Sequence, residues 1–373
     1  MSPRTEPSDR ALLPTLAGML ADPDRGVARL AALPDERAGA LIALARAHGV
    51  EAWLAAVAPG RPAWGELAVQ GVRFRAAAAR DRQELARFGE LADGLALPWC
   101  AVKGQAVAEA VYPRPYWRYG VDIDVLVPPD RFAELCERLP AAGWQLLDRN
   151  WPLLAATVPG ELRFRSPTGA LFDVHWHLMT NPALRAAFVL PTGALLARRR
   201  TLPAGLPALD PADQLVHLAV HAALSGASRL GWLADCGLAA SRLADPAGLA
   251  ERAREARAGH AVALVLDRAH RWLGTPVLPG RPAWRGLTAL VDRASPLAGE
   301  PDRPALARSF ARSVRGSAGA STAEFLRHAL AFARSGAPRE RAASPLTDPA
   351  DPRSPLHDRP DEGARRQYLS ALA

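Results

Sequence analysis

Apolar residues over the first 95 positions recur at helical spacing, and the pattern predicts several helices between Ala11 and about Gly94. In the longest, Pro62 to Leu91, the residues Leu85, Phe88 and Leu91 share a face, the surface positions are Arg and Glu, and Gly94 suits a stop. At Leu97 the period changes. Trp99 to Val102 reads as a short strand leading into Gly104, and QAVAEAVY as a short helix ended by Pro113 and Pro115. VDIDVLV then reads as a strand, PPDRFAELCERLPAAG as a helix and WQLLDR as a strand. ELRFRSPTGALFDVHWHL reads as a hairpin turning at Ser166 to Gly169. From Asp210, an N-cap followed by Pro211, the pattern is helical again until about Gly336, after which Pro, Asp, Arg and Ser dominate. The expected class is α+β, laid out as a disordered 1–10, a helical region 11–95, a mixed core 96–205, a helical domain 206–336 and a disordered tail 337–373.

Two aspartates, Asp122 and Asp124, interrupt the apolar VDIDVLV run two residues apart. On a strand they leave one face, roughly 6.6 Å apart at about 3.3 Å rise per residue. Like charges in an apolar setting call for a partner, either a capping or ion-pair contact or a divalent cation. The second hairpin arm adds Asp173 and His175 on one face, with Phe172, Val174 and Trp176 on the other. Three carboxylates on neighbouring strands can hold two Mg²⁺ ions about 4 Å apart, as phosphoryl and nucleotidyl transfer require. Gly104, between strand and helix, is ordinary turn chemistry or a place where backbone N–H groups approach a phosphate.

Composition changes this picture at one residue. Of the 46 Lys and Arg residues only Lys103 is lysine, so this position either needs a compact ammonium or keeps one by chance. The formal net charge of +8 is spread among acids, which argues against a polynucleotide partner. Cys100, Cys136 and Cys236 show no metal spacing and read as reduced core residues. No apolar run approaches a membrane span and MSPRTEPSDR does not read as a signal peptide, so a cytoplasmic protein is expected.

Lys103-Gly104, Tyr112, Arg118, Asp122-Ile-Asp124 with VLV, Phe172-Asp173-Val174-His175-Trp176, Asp213 to His221 and Trp232 to Asp235 occur in that order. This set, over about residues 85–275, resembles the bacterial uncharacterised nucleotidyltransferase family of the DNA polymerase beta-like nucleotidyltransferase superfamily. The resemblance implies a small mixed sheet with flanking helices, a Gly104 turn contacting a nucleoside triphosphate, and Asp122 and Asp124 binding Mg²⁺ with the nucleotide. By the same carry-over Asp173 is the third carboxylate, which ligates the catalytic metal. His175 shares its face and could orient it. The superfamily's Gly-Ser pair is Gly104-Gln105 here, so the serine contact is missing and Lys103 either substitutes for it or pairs with the carboxylates. Arg118 binds phosphate or pairs with an acid. His217 and His221, at i, i+4, line the cleft with Asp235 or are satisfied core residues, while Tyr112, Trp117 and His177 read as packing or structural residues. The expected activity is Mg²⁺-dependent transfer of a nucleoside monophosphate to an unidentified hydroxyl-type acceptor. An inactive binding protein on the same fold, or a transferase acting on protein, peptide or RNA, are the alternatives.

Overall fold

The computed structural model describes residues 12–58, 60–277, 282–294, 306–335 and 348–372. The expected disorder of residues 1–10 lies outside the described residues. Two compact units form, one from residues 1–79, 107–119 and 211–337, the other from 80–106, 120–210 and 338–373. The cuts differ from the breaks at 95 and 205 read from periodicity. Helix Gly65–Gly94 is shared between the units, and its last turns bring Leu85, Phe88 and Ala92 into the core of the second unit.

That second unit is built on a mixed sheet of seven strands among the described residues: β1 (Cys100–Ala101), β2 (Ile123–Leu126), β3 (Gln145–Leu146), β4 (Glu161–Arg165), β5 (Leu171–His175), β6 (Arg200–Thr201) and β7 (Pro207–Ala208). Their order across the sheet is β3-β4-β5-β2-β1-β7-β6. β2 and β5 are parallel neighbours, β1 runs antiparallel to β2, and β4 and β5 are the predicted hairpin. Its turn closes through Ser166 and Ala170, whose backbones pair at 2.8 Å, with Gly169 taking the positive φ of +95° that the tight reversal demands. Alternation sorts the side chains of the sheet. Ile123, Val125, Leu162, Phe164, Phe172 and Val174 enter one apolar core, where Phe172 stacks on Phe88 at 5.8 Å and meets the edge of Trp144 at 4.7 Å.

One expectation is overturned. The segment read as a disordered tail carries helix Glu362–Ser370, started by the Asp361 carboxylate accepting from the Ala364 backbone. Tyr368 on that helix is fully buried. Its hydroxyl donates to the Pro159 carbonyl at 3.0 Å and accepts from the Trp176 indole at 3.0 Å. Composition averaged over the tail hides one well-capped helix and one aromatic anchor. Tyr368→Phe keeps the ring and removes the hydroxyl, so it is expected to cost about 1 kcal/mol, read as a lower urea midpoint at unchanged slope. An unaltered midpoint would show that the hydroxyl bonds contribute nothing.

The first unit is helical. Pro211–Leu224, Leu230–Ser241 and Gly259–Leu273 carry ten, seven and eleven of its buried residues, and the first begins at the Pro211 that the Asp-Pro pair predicts. All three cysteines are buried free thiols. Among the described residues no helix is long and apolar enough to cross a membrane.

Candidate functional site

The sheet face opposite the aromatic core holds the charges. Parallel pairing of β2 with β5 sets Asp124 directly beside Asp173. Antiparallel pairing of β4 with β5 sets Arg163 beside Asp173 and Glu161 beside His175. Asp122 lies just before β2 and is exposed. The predicted Asp122, Asp124, Asp173 and His175 thus come together in one unit, joined by Glu161, which the sequence reading passed over. The signal for Glu161 was present: once the turn at 166–169 is accepted, the hairpin register places it opposite His175.

Asp124 is 3 % exposed and has cations on one oxygen. Its Oδ1 lies 2.7 Å from the Lys103 Nζ and 2.9 Å from the His175 Nε2. Burial alone would raise its pKa, but the Lys103 ammonium and the His175 hydrogen bond hold it well below the usual carboxylate range. The other His175 nitrogen, Nδ1, stands 3.0 Å from a Glu161 oxygen. Burial opposes a charge on this imidazole, yet Glu161 and Asp124 on either side push its pKa up to about 10. At neutral pH His175 is therefore an imidazolium.

Asp122 and Asp173 behave differently. Neither makes an ion-pair contact among the described residues. Burial, then the negative charges of Glu161, Asp124 and Asp122, push the Asp173 carboxyl up to about 8. Although Asp122 is exposed as a residue, loss of water around its carboxyl, and then the neighbouring Asp124, likewise raise it. Arg163 relieves Asp173 only in part, because its guanidinium hydrogen-bonds the buried Asp148 at 2.7 and 3.0 Å and acts on Asp173 at longer range. Both unpaired acids line a cleft of about 1080 Å³, with Glu161 and Arg163 beside them, Leu153, Leu171 and Leu356 along its walls, and Arg165 and Arg353 also in its lining. Such a volume suits a small molecule or a short polymer segment.

Among the described residues no group of three or more His, Cys, Asp or Glu side chains is gathered as a ligand cluster for the expected Mg²⁺, and one Asp124 oxygen is taken by Lys103 and His175. The chemistry nonetheless fits a hard cation: oxygen donors, unpaired and electrostatically frustrated at Asp122 and Asp173, facing one cleft.

Gly104 takes a positive φ of +52°, and a Cβ there would sit 3.7 Å from the Asp122 carbonyl oxygen, so the turn before helix Gln105–Val111 packs next to the Asp122 backbone. Gln105 is buried. The lysine resolves one of the two roles open to it, for its ammonium pairs with a carboxylate.

Of the remaining residues, all but His177 belong to the helical unit. The Arg118 Nε donates to both oxygens of the buried Asp235 at 3.0 Å, and the Tyr112 hydroxyl donates to Asp235 Oδ1 at 2.7 Å. Arg118 therefore pairs with an acid, and Tyr112 is a hydrogen-bonding residue as well as a packing one. His217 is buried, its ring 6.4 Å from that of His221, which meets Trp232 edge-on at 6.0 Å. His177 accepts from the Met179 backbone at 3.0 Å and, by burial and the nearby Arg185, is held down to about 4. That neutral, locally bonded state agrees with a structural role.

A family model described as an uncharacterised nucleotidyltransferase matches residues 34–274, more than half of the chain. No curated protein matches the sequence.

Proposed function

Because the chain belongs to the uncharacterised nucleotidyltransferase family, we propose that it moves a nucleoside monophosphate from a nucleoside triphosphate to an acceptor hydroxyl, with a divalent cation at the carboxylate cluster. The observation that carries this reading is the pair of acids without an ion pair among the described residues, Asp122 and Asp173, facing one cleft on either side of the β2–β5 seam.

In the proposed reaction the acceptor oxygen attacks the α-phosphorus of the triphosphate. The bond from that phosphorus to the bridging oxygen of the β-phosphate breaks, and pyrophosphate leaves. Asp122 and Asp173, with Asp124, would hold Mg²⁺, which supplies charge neutralisation at the phosphate oxygens. Asp173, once ionised, would take the acceptor's proton. A carboxyl raised toward neutral pH is a better proton acceptor than an ordinary aspartate. The Gly104 turn offers its backbone to the phosphates, and Lys103 acts indirectly by keeping Asp124 ionised and fixed. The cleft, with its apolar walls, receives the acceptor.

The test is pyrophosphate release from each of the four NTPs with and without Mg²⁺, using α-labelled nucleotide and cell extract split into small and large molecules. Label passing to the small-molecule fraction is the expected result. Label in protein or RNA would move the acceptor to a macromolecule, and absence of any Mg²⁺-dependent NTP binding or turnover would leave a binding protein on a transferase fold.

A further inference from the structure

The cleft changes character from the β2–β5 seam outward. On β5, Leu171 and Asp173 leave the same face of the sheet, two residues apart. Antiparallel β4 sets Arg163 beside Asp173 and Arg165 beside Leu171. Arg165 therefore lies one strand beyond Leu171, about 5 Å further from the seam. Acid, apolar surface and base follow one another in that order, and all of them line the one cleft.

Three arginines line this cleft, and two are engaged. Arg163 pairs with Asp148 at 2.7 Å and Arg353 with Asp351 at 2.7 Å. Arg165 is exposed and makes no ion pair among the described residues. Between it and the acids Leu171 stays 37 % exposed, an apolar side chain open to the cleft. Leu153, from helix Trp151–Thr157, and Leu356 add apolar surface. Leu356 follows a stretch whose Pro352 and Ser354 carbonyls accept from the Asn150 amide at 2.8 and 3.0 Å, so this wall is fixed in place.

Such a surface orients what it binds. Covering the three leucines favours an apolar body. An anion is disfavoured beside Asp122, Asp173 and Glu161 and favoured at Arg165, whose planar fork grips a carboxylate or phosphate through two parallel hydrogen bonds. With its anion at Arg165 and its apolar body over Leu171, a molecule carrying a hydroxyl at the far end delivers that hydroxyl to Asp173.

We propose that the acceptor is a small anionic amphiphile, a hydroxyl separated by an apolar body from a carboxylate or phosphate monoester, and that Arg165 selects it by binding the anion. The proposal rests on the transferase reading above and names the class of acceptor for the same cleft.

A chain-length series of ω-hydroxyalkanoates, their methyl esters and the matching diol monophosphates is the probe. Each is titrated calorimetrically into the full chain, alone and with Mg²⁺ and the α,β-methylene analogues of the four NTPs. Wild type should bind an anionic member about tenfold or more tighter than its ester, as a charge-assisted contact provides. The carboxylate and monophosphate arms identify the anion. Arg165→Gln should bring acid and ester to within about twofold and leave affinity for the nucleotide analogues unchanged, while Arg165→Lys should keep part of the preference. Equal affinity for acid and ester in wild type, or no binding of any anionic member, would overturn the proposal. Loss of nucleotide-analogue affinity in Arg165→Gln would also overturn it, by assigning the arginine to the triphosphate. If Arg165→Gln does not fold, the wild-type comparison decides alone. Anion-selective binding without Mg²⁺-dependent NTP turnover would preserve this inference and refute the transferase reading; turnover with no preference for the anionic series would do the reverse.

Discussion

Asp173→Asn is expected to abolish Mg²⁺-dependent NTP turnover while leaving the fold at least as stable as wild type. The loss should be about 10³-fold or more, on the order of 4 kcal/mol of transition-state stabilisation, because an amide neither takes the acceptor's proton nor offers a charged oxygen to a cation. Asp122→Asn should lose a comparable amount through the cation alone. The stability half of the prediction follows from linkage. The folded protein holds the Asp173 proton up to about 8, above the ordinary value of 3.8. Its favourable contribution is thus complete below 3.8 and is lost as pH rises through 8. Asparagine mimics the protonated form at every pH. The variant's melting temperature should match wild type below about pH 3.8, exceed it by a margin that widens up to about pH 8, and keep that margin near pH 9. Full turnover in folded Asp173→Asn would remove this residue from the site, and a variant that melts lower at pH 9 would contradict the repulsion among the carboxylates.

That prediction depends on two pairings with different visibility in the sequence. The hairpin was open to reading, because alternation of Leu162 and Phe164 against Glu161, Arg163 and Arg165, with Gly169 at the turn, fixes which residues face each other. Glu161 was still missed, since a charged position on an alternating arm looks like a solvated face until its opposite number is known to be a buried histidine. The β2–β5 pairing could only be guessed. Parallel neighbours joined through intervening helices leave no local mark, and the Asp124–Asp173 register is a product of tertiary packing. The two-residue strands β1, β3, β6 and β7 are too short to show a period at all.

Lys103 illustrates the limit most sharply. Its rarity marked it, and the change of period at Leu97 placed it at a strand end. Which acid it meets depends on β1 running antiparallel to β2, with the Val102 backbone donating to the Asp124 carbonyl at 3.1 Å. The next residue is thereby delivered to the Asp124 carboxylate. The tail from residue 348 was illegible for another reason. Its ordering comes from Asn150, whose side chain donates to the Pro352 and Ser354 carbonyls at 2.8 and 3.0 Å, and from the burial of Tyr368, both contacts made far along the chain.

The largest effect on stability should come from Asp124→Asn. Among the described residues, Lys103 would lose the one carboxylate in ion-pair contact with it, and His175 would keep only Glu161. Removing one partner of a buried pair strands the other charge, at a cost of about 3–5 kcal/mol. The pH dependence separates the contributions. Asp124 is held below 3.8, so its stabilisation is present above that value and lost as pH falls through the lower folded value. His175 is raised from 6.5 to about 10, so its contribution is complete below 6.5 and lost as pH rises through 10. Wild type should therefore weaken on both sides of a plateau, and Asp124→Asn should lose the acid-side fall and complete its alkaline decline at a lower pH, since His175 keeps only Glu161 to raise it. Adding Lys103→Met to Asp124→Asn removes the stranded ammonium, and the double variant should recover part of the loss, a non-additivity that urea denaturation of all four proteins at pH 7 would measure. An Asp124→Asn protein within 1 kcal/mol of wild type, or a double variant weaker than the sum of its parts, would show that the Lys103–Asp124–His175 chain does not hold the site together.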